Sequence, residues 1–326
     1  MYFQRRWPVL IGIVVWLCLP MISNVFAQGG GKKNPLVADP TIFVDNGIYY
    51  LYGTGGGAKD QGFKVFTSTD KKVWTDKGFA LTKNDNYGTR GFWAPQVFKH
   101  QGKYYMAYTA SEHIAISQAD TPLGPFKQKA KVPIDSNIRM IDPFVWIDPS
   151  GVIYLYHVRL QKGNRIFVAE MSEDFSSIKP ASLKACIDAE AGWEDTQNAN
   201  WKVAEGPTLL KHGGFYYLIY SANDFRNPDY AVGYATASSL LGPWKKSNSN
   251  PIISRKNLKY SGTGHGDILK DSTGTMWYVF HTHQSEQSVA PRKTAMVQVA
   301  FEKQGGKQPD RLIILPDTFK FLEKAN

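Results

Sequence analysis

One arrangement of polar and apolar positions recurs five times along the chain. A polar or acidic residue, usually beside a proline, opens an apolar run, a glycine-bearing turn follows, and an aromatic strand comes next. The copies read ADPTIFVDNGIYYLYGT, WAPQVFKHQGKYYMAYTAS, IDPFVWIDPSGVIYLYHV, AEGPTLLKHGGFYYLIYSAN and GHGDILKDSTGTMWYVFHTH. Pro40 to Tyr49, Pro95 to Tyr104 and Pro207 to Tyr216 each span 9 residues; the third and fifth copies are looser, at 11 (Pro143 to Tyr154) and 10 (Asp267 to Trp277). Apolar runs joined by such turns predict a β-hairpin at the start of each unit. A third strand is expected at 63–70, 113–120, 165–172, 230–239 and 294–302. A fourth is closed in two units by the corners Gly124-Pro125-Phe126 and Gly242-Pro243-Trp244. Five units of four antiparallel strands predict an all-β, five-bladed β-propeller. A lone blade cannot bury its faces, so the core forms where blades stack around the axis. A two-sheet sandwich is the alternative, but it does not account for five copies of one opening. The segment RLIILPDTFKF near the end is the candidate for closing the ring.

Composition narrows the class. The chain has 326 residues, 13% aromatic, with 29 glycines, which suits a turn-rich β protein. Cys18 and Cys186 are its two cysteines, too few for a disulfide framework or a cysteine zinc site. Cys186 reads as a packing residue. Residues 1–27 carry Arg5-Arg6, an apolar run from about Val9 to Leu19, and Val25-Phe26-Ala27, the pattern of a signal peptide cleaved after Ala27. The run is shorter than the ~20 residues of a membrane span. The expected mature protein is one propeller domain, 28–326, exported to the periplasm or medium, with no membrane partner after cleavage. GGGKKN after the leader reads as a short flexible start. The net charge of +10 falls to +8 without Arg5 and Arg6. Its charges are scattered and no nucleic-acid motif accompanies them, so a nucleic-acid partner is not expected.

The candidate chemistry lies at the unit starts. The first strand of a propeller blade lines the channel, so Asp39, Trp93-Ala94, Asp142, Glu205 and His265 are expected to converge on the axis as equivalent positions. Three of these are carboxylates, and like charges gathered at one opening push their pKa values apart. The prolines after Asp39 and Asp142 predict an extended backbone at each acid. A second Asp-Pro pair, Asp148-Pro149, is assigned to a hairpin turn. His157 is placed at the channel rim. Trp193 and Trp201, in the long insertion before Glu205, are candidates for outer sugar contacts. His281 and His283 alternate on a strand as a metal pair would, with no third ligand in sight.

Val-Ala-Asp-Pro at 37–40, Trp-Ala-Pro at 93–95, Ile-Asp-Pro at 141–143, Glu-Gly-Pro at 205–207 and Gly-His-Gly at 264–266 together resemble glycoside hydrolase family 43, inverting enzymes on a five-bladed propeller. The resemblance runs from about Asn34 to about Phe301. The Asn-Asp-Pro-Asn, Arg-Asp-Pro and Glu-Cys motifs of the related retaining propeller hydrolases are not in this sequence. The resemblance implies that Asp39 is the general base, Glu205 the general acid and Asp142 the third acid, which tunes and orients Glu205. It implies that Arg292 and Trp93 contact substrate. It places His265 on the axis beneath the sugar, beside a water, a chloride or a structural calcium ion held through waters, with no cofactor required. The implied activity is hydrolysis of α-L-arabinofuranoside or β-xyloside linkages in plant polysaccharides or oligosaccharides. The alternatives are a galactofuranosidase or β-1,3-galactanase on the same fold, and a non-catalytic carbohydrate-binding propeller. Because the chain ends soon after the fifth unit, the β-xylosidases that carry a C-terminal β-sandwich are disfavoured. Exo or endo action and oligomeric state are not legible.

Overall fold

The computed structural model describes residues 1–3, 33–56 and 59–325. All but the first three residues of the expected leader, its cleavage site included, lie outside the described residues. From Lys33 onward the chain forms five sheets, one from each repeat. Blade 1 comprises β1 (Val37–Asp45), β2 (Ile48–Gly55), β3 (Gly62–Ser68) and β4 (Val73–Thr82). Blade 2 comprises β5 (Trp93–His100), β6 (Lys103–Ala110) and β7 (His113–Ala119). Blade 3 holds β8 (Met140–Ile147), β9 (Ile153–Leu160), β10 (Asn164–Glu170) and β11 (Lys184–Ile187). Blade 4 holds β12 (Ala204–His212), β13 (Phe215–Ala222), β14 (Ala231–Ala237) and β15 (Lys245–Lys246). Blade 5 holds β16 (Gly264–Lys270), β17 (Met276–Thr282), β18 (Lys293–Glu302) and β19 (Arg311–Phe321), and β20 (Glu323–Lys324) follows it. Neighbours within each blade run antiparallel, in chain order outward from the axis.

The alternation of the strands explains where the core lies. On β2, Tyr50 and Tyr52 join the cluster shared with blade 2, whereas Tyr49 and Leu51 join the cluster shared with blade 5. Both faces of a blade are therefore apolar, and each is buried against a different neighbour. Five such clusters exist, one at each blade interface. Aromatic rings fill them in edge-on pairs, such as Phe63 with Tyr108 at 5.8 Å. These arrangements are worth about 0.5–1.5 kcal/mol each beyond area burial. Cys186 packs against the cluster between blades 3 and 4, as a packing residue should.

Two expectations need correction. Blade 2 has no fourth strand in its sheet. The Gly124-Pro125 corner instead drops Phe126, fully buried, between blades 1 and 2, where its N–H bonds Ala80 O at 2.7 Å. Flanking residues make only single bridges, Leu81 to Phe126 and Gln118 to Lys127. RLIILPDTFKF does not itself close the ring, being the outer strand of blade 5. Closure comes from β20, which pairs in parallel with Val73 and Trp74 of β4. Asn34 completes it by donating to Thr294 O and Leu322 O, both at 2.9 Å. Lys33 and Asn34, the end of the stretch expected to be flexible, are thus built into the seam.

Each inner strand carries a β-bulge at the same place, between Ala38 and Thr41, Trp93 and Gln96, Ile141 and Phe144, Glu205 and Thr208, and Gly264 and Gly266. One residue of each bulge is left-handed: Asp39 (φ 48°), Ala94 (φ 45°), Asp142 (φ 55°), Gly206 (φ 59°) and His265 (φ 43°). The extended backbone expected before Pro40 and Pro143 is therefore not found, because the bulge overrides the local preference of a residue preceding proline. Four of these residues are pinned to the preceding blade through their N–H groups. Ala94 donates to Thr54 Oγ1 (2.9 Å), Asp142 to Thr109 Oγ1 (2.9 Å), His265 to Ser221 Oγ (2.8 Å) and Asp39 to His281 Nδ1 (3.1 Å).

Candidate active site

The bulges set the site. Asp39, Ala94, Asp142 and His265 line a small axial cavity of about 20 Å³, the size of one water, together with Pro40, Pro95, Pro143 and Pro207. Glu205 does not share their position. The residue of blade 4 equivalent to Asp39 and Asp142 is Gly206, and Glu205 stands one residue earlier, paired with Ser221 as Trp93 is with Thr109. The sequence reading, anchored on the acidic residue of each unit, set Glu205 out of register by one. Glycine is required at 206, because its φ is left-handed and a Cβ there would come within 2.8 Å of the His265 ring. Blade 4 also lacks the usual pin, since the residue of blade 3 at that register is the apolar Val158. The Gly206 N–H donates instead to Asp142 Oδ2 at 3.2 Å. Loss of a hydroxyl from β9 thus leaves Asp142 itself to hold the backbone that carries Glu205.

The three acids are all buried, yet their surroundings differ. Burial alone pushes the Asp39 carboxyl up. Arg292, whose Nη1 lies 3.0 Å from Oδ1, outweighs it with help from His265 and His281, and holds the group well below the usual carboxylate range. Burial pushes Glu205 up to about 7, against hydrogen bonds from the Tyr230 hydroxyl to Oε1 (2.9 Å) and Asn164 Nδ2 to Oε2 (2.8 Å). Asp142 is raised well above its ordinary value by burial and then by the charges of Glu205 and Asp39. Asp39 is thus pushed toward its ionised form, and the coupled groups Glu205 and Asp142 toward their protonated forms. His265 Nδ1 lies 3.5 Å from Asp39 and 3.8 Å from Asp142. Burial lowers its pKa against the pull of Asp39, which disfavours the charged form of the ring at these approaches.

The remaining candidates divide. Arg292 lies against Asp39, with its guanidinium carbon 4.7 Å from the centre of the Phe225 ring. Trp93 is 37% exposed and lines a cavity of about 410 Å³ with Thr54, Arg90 and Glu112. His157 does not reach the channel rim. It is fully buried, accepts a hydrogen bond from Arg159 Nε at 3.2 Å, and is neutral, with a pKa near 3 set by burial and Arg159. Trp193 is half-buried and packs on Tyr220 at 5.8 Å against the close approach of Gly233. His281 and His283 are not a metal pair: the first is held by Asp39 and Arg292 and the second by Phe225 O (2.8 Å). Among the described residues no group of three or more His, Cys, Asp or Glu could hold a metal ion.

Tyr230, Asn164 and Phe225 escaped the sequence reading. Asn164 opens β10 and Tyr230 immediately precedes β14, so both come from third strands, whereas the repeated pattern marks the first two. No local signal distinguishes them.

The family model for glycosyl hydrolases family 43 matches residues 33–306. The chain is 42% identical to a solved endo-1,4-beta-xylanase from Bacteroides thetaiotaomicron VPI-5482, with a TM-score of 0.84 over 90% of this chain and 100% of that one. Extracellular endo-alpha-(1->5)-L-arabinanase 1 of Bacillus subtilis strain 168 is 25% identical over 290 residues, 80% of this chain and 84% of the relative. Beta-D-galactofuranosidase xynD of Aspergillus niger is 23% identical over 291 residues, 83% and 81% of the two chains.

Proposed function

The chain belongs to glycosyl hydrolase family 43, and from that premise we propose that it is an exported, inverting glycosidase cleaving α-L-arabinofuranoside or β-xyloside linkages of plant polysaccharides or oligosaccharides. One observation carries the assignment of roles: two buried carboxyl groups face opposite electrostatic surroundings. Arg292 keeps Asp39 ionised, as a base must be. Burial keeps a proton on Glu205 up to a pH near 7, as an acid must have. In this reading Asp39 takes a proton from water as its oxygen bonds to the anomeric carbon. The bond to the leaving oxygen breaks, and that oxygen receives the proton of Glu205. Attack by water from the face opposite the leaving group inverts the configuration. Asp142 is the third acid of this reading: it holds the Gly206 N–H beside Glu205, and the charge of Glu205 raises its own pKa.

The xylanase and arabinanase names of the relatives support pentose polymers as substrate. The galactofuranosidase relative supports a second reading, a galactofuranoside substrate at the same acids. Export is supported by the Arg5-Arg6, apolar-run and Ala27 arrangement and by an extracellular relative. No helix among the described residues is long and apolar enough to cross a membrane.

Nitrophenyl arabinofuranoside, xyloside and galactofuranoside assayed side by side test the substrate. Glu205→Ala tests the roles: with a natural sugar leaving group the rate should fall ~10²–10⁴-fold, and with dinitrophenol, which leaves without a proton, far less. Equal losses on both leaving groups would remove Glu205 from the acid's role.

A further inference from the structure

The geometry points to Trp201 as a positioning residue that fixes, through Asn164, how Glu205 carries its proton; this rests on the reading of Glu205 as the acid. Trp201 belongs to the segment between blades 3 and 4 and is 48% exposed. Its indole N–H donates to Asn164 Oδ1 at 2.8 Å, and Asn164 Nδ2 donates to Glu205 Oε2 at 2.8 Å. An indole nitrogen is a donor only. The Asn164 oxygen must therefore turn toward Trp201, which leaves its NH₂ facing the acid. The two possible amide orientations, equivalent in shape, are made unequal by one exposed ring.

The segment holding Trp201 is tied to the strand holding Asn164. The Asn164 N–H bonds Lys202 O at 2.9 Å, and Asn164 bridges Val203 in parallel. Gly163 lies so close that a Cβ would sit 2.7 Å from Lys202 O. The indole is thus held in register with the amide by backbone, three residues before the start of the inner strand that carries Glu205.

The chemical consequence concerns both oxygens of the acid. With an N–H fixed on Oε2, that oxygen acts as the carbonyl partner of the protonated carboxyl, and the proton belongs on Oε1, where the Tyr230 hydroxyl, which donates to the ionised acid, can turn to accept from the protonated one. Donation to Oε2 also favours the carboxylate, so it holds the acid's pKa below what burial alone would set. If the lock is lost, Asn164 can turn its oxygen to the protonated acid, and the pKa climbs.

The test is the pH dependence of kcat/KM on the fastest nitrophenyl glycoside of the panel. Trp201→Phe keeps a ring for stacking and loses the N–H. It should move the alkaline limb to higher pH by roughly 0.5–1 unit, the scale of one hydrogen bond on a carboxyl. Asn164→Ala should move it the same way, and the double variant no further than Asn164→Ala alone. A role in sugar stacking alone would raise KM and leave the limb in place. The proposal is overturned if Trp201→Phe, shown folded by its thermal transition, keeps the wild-type limb, or if it shifts the limb again on the Asn164→Ala background. Glu205→Gln separates the two levels. If it abolishes the alkaline limb, the acid assignment stands whatever Trp201 does, and if the limb persists in that variant, the acid assignment itself fails.

Discussion

At the scale of single residues, the site shows how neighbours, not residue type, assign protons. Asp39 and Glu205 are both buried carboxyl groups, and burial raises both. Only Asp39 has a guanidinium within 3.0 Å and two imidazoles around it. Arg292→Ala leaves burial unopposed by its main counter-charge, so the Asp39 pKa should climb. With Asp39 as the proposed base, ionisation would then need a higher pH, and the acidic limb of the rate profile should move upward. The sign for stability is the same: a depressed Asp39 contributes stability above its unfolded pKa of ~3.9 that is lost as pH falls through the folded value. Removing Arg292 shrinks that contribution, so the variant should lose less stability than the wild type as pH falls from 7 to 3. Thermal unfolding followed from pH 3 to 7, beside the rate profile, checks both, and an unmoved acidic limb would detach Arg292 from the base.

At the scale of elements, the bulge at the head of each inner strand is the device that turns a repeated strand into a site. It aims Asp39, Asp142 and His265 at the axis. In blade 4 it places the glycine there and sets Glu205 at the preceding position. Gly206→Ala tests this. A non-glycine residue at φ 59° costs ~1–2 kcal/mol, and its methyl would displace the His265 ring. The expected result is a modest fall in melting temperature with a disproportionate loss of activity. Activity that falls only as far as the fraction unfolded explains would show that the bulge does not set the geometry of the acids.

At the scale of the whole molecule, stability is distributed over five interfaces, and the ring must be closed for the interface between blades 5 and 1 to persist. The seam uses Asn34, Leu322 and the pairing of β20 with β4. Leu322 is buried, and a buried leucine is worth about 1.5–3 kcal/mol. A chain ending at Phe321 should melt several degrees lower, in a thermal scan, with its loss of structure starting at blades 1 and 5 in hydrogen exchange. An unchanged transition would show that the side-chain cluster between those blades closes the ring unaided. What the sequence by itself determined was the architecture and the short list of acids. Both are written in a period: a strand pattern repeated five times has one way to bury both faces of every sheet, and residues at matching places in a ring must meet at its axis. What only the tertiary structure decided was the register of Glu205, the neutral burial of His157, the closing strand, and the partners Tyr230 and Asn164. Those depend on contacts between blades, where a bulge shifts a strand by one residue and a side chain 41 positions away supplies the hydrogen bond. No window of sequence contains both halves of such a contact.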